Sequence, residues 1–168
     1  MEGNLILRRL RHALGLRNRD VEDILALGGC TRSDEQVRAL LQHEDGEGFT
    51  PASVEELSAF LDGLIIHRRG RPEPSPGQKP PAPIAASTNN IVLRKLRIAF
   101  DLKEEGMLEL LDLGNFRVSK PELSALFRKE GHKHYRECGN QILRYFLDGL
   151  TARFGQQDPE DPVGGRPA

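Results

Sequence analysis

Apolar residues recur every three or four positions along most of this chain. In "NLILRRLRHALGL", Leu7, Leu10, Ala13 and Leu14 share one face of a helix, and Asn4 stands where an N-cap would be expected. A second helix, "DVEDILAL", stops at Gly28-Gly29. A third opens on Ser33-x-x-Gln36, the pattern of a capping box. A fourth and longer one carries "VEELSAFLDGLI". No segment alternates apolar and polar residues as a half-buried strand does.

The same pattern then returns. Shifted by 86 residues, "NLILRRLRHALGL" falls on "NIVLRKLRIAFDL" and "LSAFLDGL" on "LRYFLDGL". The second helix of the later copy stops at Gly114-Asn115, and its third opens on Ser119-x-x-Glu122, again a capping-box pattern. Asn4/Asn90, Arg8/Arg94, Arg11/Arg97, Gly28/Gly114, Asp62/Asp148 and Gly63/Gly149 are among the identical pairs. The expected fold is all-α, a tandem duplication of a roughly four-helix unit packed as a pseudo-twofold pair. A single copy of some 65 residues has a thin core, which is the reason to expect packing between copies. Repeat 1 spans 4–70 and repeat 2 spans 90–155. Between them, 71–89 reads as a Pro-rich, extended linker. The tail, 156–168, reads as disordered.

Glycine inside a helical pattern costs about 1 kcal/mol relative to alanine. "FLDGL" nevertheless occurs twice, so Gly63 and Gly149 point to a close helix-to-helix approach or to a helix end.

Composition narrows the class. Aromatic content is 5% with no Trp, so the core must be mainly Leu, Ile, Val and Ala. Net charge is −1, which gives no global attraction to nucleic acid or membrane. Charge is uneven, however. Repeat 2 has 12 Lys/Arg against 9 Asp/Glu, and repeat 1 has 9 against 11. The two cysteines, Cys30 and Cys138, form no CxxC pair and suit a reducing compartment. Arg8, Arg9 and Arg11 interrupt the first apolar stretch, so no signal-peptide core is expected, and no apolar run nears the ~20 residues that span a bilayer. The expectation is a cytoplasmic protein.

The stretch "KEGHKHYREC", 129–138, is the richest in chemistry. His132, His134 and Cys138 are metal-ligand types, and a Cys–His pair can support nucleophilic catalysis. The spacing HxHxxxC is not a common zinc pattern, and repeat 1 has "EDGEGFTPAS" at the equivalent place. The plainer reading is a loop and turn leading into the last helix, with Tyr135 packed and Lys129, His132, Lys133, His134 and Arg136 solvated on a basic face that also takes in Lys120, Arg128 and Arg144. No metal, cofactor or catalytic residue is assigned.

Arg8 and Arg11, with twins Arg94 and Arg97, share helix faces and could pair into a phosphate-binding surface. Bridges from these arginines to the repeated Asp62 and Asp148 would explain them equally well. A DNA-reading helix in repeat 1 is disfavoured. Its third helix carries Asp34, Glu35, Glu44 and Asp45 against Arg38, the wrong sign for the major groove.

"LRRLRHALGL", "ALGG", "FLDGL" and "FRKEGHKHYRECGNQILRYFLDGL" resemble the bacterial YehS-like family, from about Asn4 to Phe154. That resemblance implies a duplicated helical domain of unknown function and supplies no ligand or catalytic residue. Two functions are expected from the residues. One is a non-enzymatic module that binds nucleic acid, RNA above duplex DNA, through repeat 2. The alternative is a protein-interaction adaptor taking a partner helix or acidic segment between the repeats.

Overall fold

A computed structural model of the chain describes residues 1–71, 76–77 and 84–155. Repeat 1 forms α1 (Gly3–Leu14), α2 (Asn18–Leu27), α3 (Asp34–Leu41) and α4 (Val54–Arg69). Repeat 2 forms α5 (Asn89–Ala99), α6 (Glu104–Leu113), α7 (Lys120–Leu126) and α8 (Asn140–Phe154). The described residues are therefore helical, in two successive sets of four. The sequence-predicted tail and most of the linker lie outside the described residues.

The turns repeat as faithfully as the helices. After α2, the Cys30 amide donates to the Leu25 carbonyl and the Gly29 amide to that of Ala26, with Gly29 left-handed at φ 90°. After α6, Phe116 donates to Leu111 and Asn115 to Asp112, with Asn115 at φ 68°. Both are Schellman closures, which glycine and asparagine accept at low cost. The box at Ser33/Gln36 is complete in both directions. At Ser119 only half of it forms. The Glu122 amide bonds to Ser119 Oγ, but the Glu122 carboxylate takes the Ser119 hydroxyl instead of the backbone amide.

Asn4 and Asn90 are not caps. Each lies inside its helix, buried, and clamps the loop that joins the third and fourth helices. Asn4 Nδ2 donates to the carbonyls of Leu40 and Thr50, both at 2.8 Å, and its Oδ1 accepts from the Ala52 amide. Asn90 repeats this with the carbonyls of Leu126 and Arg136 and the amide of Cys138. The cap of α5 is Thr88, and α1 begins after Glu2 with no side-chain cap.

Within each repeat the second helix crosses the fourth at backbone contact. A Cβ on Gly28 would overlap the Ala59 carbonyl, and one on Gly63 would overlap that of Ile24. Gly114 and Gly149 stand in the same relation to the carbonyls of Tyr145 and Leu110. The repeated "FLDGL" is thus a close-approach site, and the propensity lost at glycine is recovered in packing.

The repeats share one apolar core, whose largest fully buried side chains are Phe60 and Phe146 and which is filled mainly by Leu, Ile and Val. Between repeats, α1 packs on α8 and α4 on α5. The linker's last turn joins in: Ala86 is buried, and its amide donates to Ser58 Oγ at 2.7 Å. No helix among the described residues is long and apolar enough to cross a membrane.

Candidate nucleic-acid interface

The stretch 129–138 is a loop with two turns, and α8 begins only at Asn140, capped by Gly139. The His132 amide donates to the Lys129 carbonyl and that of Tyr135 to the His132 carbonyl, which folds the loop back on itself. The Arg136 amide then reaches the Ala125 carbonyl, so the loop lies along α7. Lys129, His132, Lys133, His134 and Arg136 are exposed and Tyr135 is half-buried. The two imidazoles sit 5.6 Å apart, with His132 Nδ1 accepting from the His134 amide. Cys138 is buried, away from water, and burial pushes its thiol up to about 11. A thiol so raised is a poor nucleophile at neutral pH. Among the described residues no three His, Cys, Asp or Glu side chains converge as metal ligands would.

The loop and α7 enclose a shallow groove of about 680 Å³. Lys120, Arg128, His134 and Arg136 supply its cations and imidazole, and one carboxylate, Glu122, sits 3.5 Å from Arg136. Lys129, His132, Lys133 and Tyr135 stand on the loop outside its walls.

Repeat 1 has the same groove over α3, of about 800 Å³. There Gln42, Gly48 and Thr50 line the groove at the positions of Arg128, His134 and Arg136, and Asp34, at the position of Lys120, stands outside its walls. Its own cations are neutralised, Arg38 by Asp34 at 2.9 Å and Arg32 by Glu56 at 3.0 Å. One scaffold therefore carries two grooves of different electrostatic character.

The repeated arginines are placed differently from the expectation of bridges to the repeated aspartates. Arg8 donates to the Gln42 carbonyl at 2.9 Å and Arg94 to the Phe127 carbonyl at 3.1 Å. Arg97 holds the Leu102 carbonyl and lies 4.7 Å over the Phe127 ring. Each of these three holds a main-chain carbonyl of its own repeat. Arg11 is exposed. The aspartates are taken by the neighbouring cations: Asp148 by Arg9, and Asp62 by Lys95 at 2.5 Å. Both bridges cross from one repeat to the other. The signal was available in the sequence, since Arg9 and Lys95 also match at the 86-residue shift, as cations but not as identities.

The family model described as "Protein of unknown function (DUF1456)" matches the chain twice, at 3–70 and 89–154. The uncharacterised protein YehS of Escherichia coli (strain K12) is 48% identical over 153 residues, covering 91% of this chain and 96% of that protein. No solved structure matches. Two family matches that coincide with the two helical sets, and a relative similar along nearly the whole chain, establish that the protein belongs to the YehS-like DUF1456 family.

Proposed function

We propose that the protein is a non-enzymatic binding module that takes RNA through the basic groove of repeat 2. The observation that carries this is the contrast between the twin grooves. Four positions that are neutral or acidic in repeat 1 become Lys120, Arg128, His134 and Arg136 in repeat 2, around a groove that backbone phosphates can enter. A fold maintained by its core has no need for that change of sign, and an anionic ligand does. Lys129 and Lys133 on the adjoining loop extend the field. The working compartment is proposed to be the cytoplasm, where the free cysteines Cys30 and Cys138 stay reduced.

The repeats are proposed to be related by a pseudo-twofold axis. The α1–α8 and α4–α5 contacts are reciprocal, as are the Arg9–Asp148 and Lys95–Asp62 bridges. Arg68 also lies 5.3 Å over Phe154, its own counterpart at the 86-residue shift, as residues beside such an axis must. The adaptor alternative has less support, because helix-on-helix packing fills the seam in which a partner helix would lie.

Fluorescence anisotropy of labelled single-stranded RNA, titrated with protein at low and physiological salt, tests the reading. Binding should weaken steeply with salt. Lys120→Glu, Arg128→Glu and Arg136→Glu together should abolish it, and removing any one phosphate-neutralising cation should lower the salt slope by about 0.7. Absence of binding at low salt overturns the reading and leaves the adaptor alternative in front.

A further inference from the structure

We infer that Phe116 and Tyr145 form a base-stacking platform beside the basic groove and make repeat 2 selective for single-stranded RNA. This inference rests on the RNA reading above and deepens it. The two rings lie parallel, with centroids 4.9 Å apart and planes inclined by 7°, and both are partly exposed. Gln141 Nε2 donates to the Tyr145 hydroxyl at 2.9 Å and fixes that ring. Arg144, exposed, precedes it on α8.

Both rings pack against the shared core, and comparison with repeat 1 shows what is particular to their positions. The counterparts of Phe116, Arg144 and Tyr145 are Cys30, Ser58 and Ala59. In repeat 1 that patch is covered by the chain itself: Ile84 and Ala85 line the hollow beside Cys30 and Ala59, and the Ala86 amide bonds to Ser58 Oγ. Repeat 2 has large rings and an arginine at these positions. Ring faces and a guanidinium are what unstacked bases and their phosphates bind.

The relation of patch to groove is carried over from repeat 1 at the 86-residue shift, and Phe116 stands four residues before Lys120 of the groove. In repeat 1 the α3 groove and the covered hollow share Arg32 and Glu56 in their walls. The same positions in repeat 2 are Val118 and the buried Ile142, so the two positions that are ionised between hollow and groove in repeat 1 carry no charge in repeat 2. A strand whose phosphates run along the groove can turn its bases onto the rings. A duplex keeps its bases stacked inside and gains nothing there.

The chain supplies its own reporter. It has two tyrosines and no tryptophan, so in a Tyr135→Phe background Tyr145 is the sole source of tyrosine emission. A 12-nucleotide oligouridine and a 12-base-pair RNA duplex serve as probes. Oligouridine should quench the Tyr145 emission as it saturates the protein. Phe116→Leu with Tyr145→Leu should weaken oligouridine about tenfold or more with the salt slope unchanged, and leave duplex affinity as it was. Tyr145→Phe, which keeps the ring, should retain binding. Unchanged oligouridine affinity in the double leucine variant, or the absence of quenching, overturns the platform while the groove reading stands. Equal losses for oligouridine and duplex overturn it too, because stacking is not shared by both. If neither RNA binds the parent protein, both proposals fall together.

Discussion

Lys95 Nζ lies 2.5 Å from Asp62 Oδ1 across the boundary between the repeats, with the lysine side chain only 9% exposed and the aspartate 31%. Arg9 and Asp148 make the corresponding bridge at 32% and 49% exposure. The two bridges differ in burial, and that sets their worth. Asp62→Ala strands a buried ammonium and should cost about 3 kcal/mol. Asp148→Ala should cost less than about 1 kcal/mol, because its pair is screened by solvent. Urea unfolding of the two variants should give this order, and equal losses would show that burial is not the deciding factor.

Glycine at the helix crossings should resist even the smallest substitution. Gly63→Ala and Gly149→Ala drive a Cβ into a backbone carbonyl, which no rotamer change relieves. Each should destabilise by about 3 kcal/mol or more, far beyond the roughly 1 kcal/mol that alanine gains in helix propensity. Gly106, in the first turn of α6, is the control: its added Cβ meets only the tip of Leu102, at 3.1 Å. Gly106→Ala should be neutral or stabilise by up to about 1 kcal/mol. Thermal melts of the three variants test the contrast.

Removing either buried asparagine should free one loop. Asn4→Ala leaves two carbonyls and the Ala52 amide without their partner, and Asn90→Ala does the same around Cys138. A loss of about 3 kcal/mol is expected for each. Amide hydrogen exchange locates the damage: the Ala52 amide should lose protection in the first variant and the Cys138 amide in the second, each without the other.

Cys138 gives the fold an alkaline limit. Burial raises its thiol from the usual 9.0 to about 11. Below pH 9 the thiol is protonated folded or unfolded, and its contribution is fully present. Between pH 9 and 11 only the unfolded chain releases the proton, so stability falls with rising pH until the folded thiol also ionises. Denaturant titrations from about pH 8 to 11 should show this decline, and Cys138→Ser should flatten it. At about pH 8 a thiol reagent should modify the partly exposed Cys30 well before Cys138.

The helices, their stops and the duplication were all legible in the sequence, because each depends on residues within one turn or on a fixed shift. Gly63 and Gly149 were legible as a pair for the same reason. The roles of Asn4 and Asn90 were not, because an asparagine near a helix start looks like a cap, while their partners lie 36 to 48 residues away. Identity pointed Asp62 and Asp148 toward the repeated arginines, whereas the matched feature was charge at Arg9 and Lys95. Phe116 and Tyr145 were hidden because a repeat marks the positions that agree. The aromatic pair stands where the copies differ, and so does most of the basic groove.

In the Arg9–Asp148 and Lys95–Asp62 bridges each repeat gives the other a cation and takes one in return, so in this exchange a lone repeat would be complementary to itself. Such a unit would assemble as a dimer of identical chains, with an affinity that depends on concentration. Joining the two by a linker of some twenty residues makes the encounter intramolecular, at an effective concentration in the millimolar range. It also lifts a constraint of symmetry. In a homodimer, any substitution that charges one groove charges both. In the fused chain, one half can keep a neutralised groove and a covered patch while the other becomes cationic and aromatic.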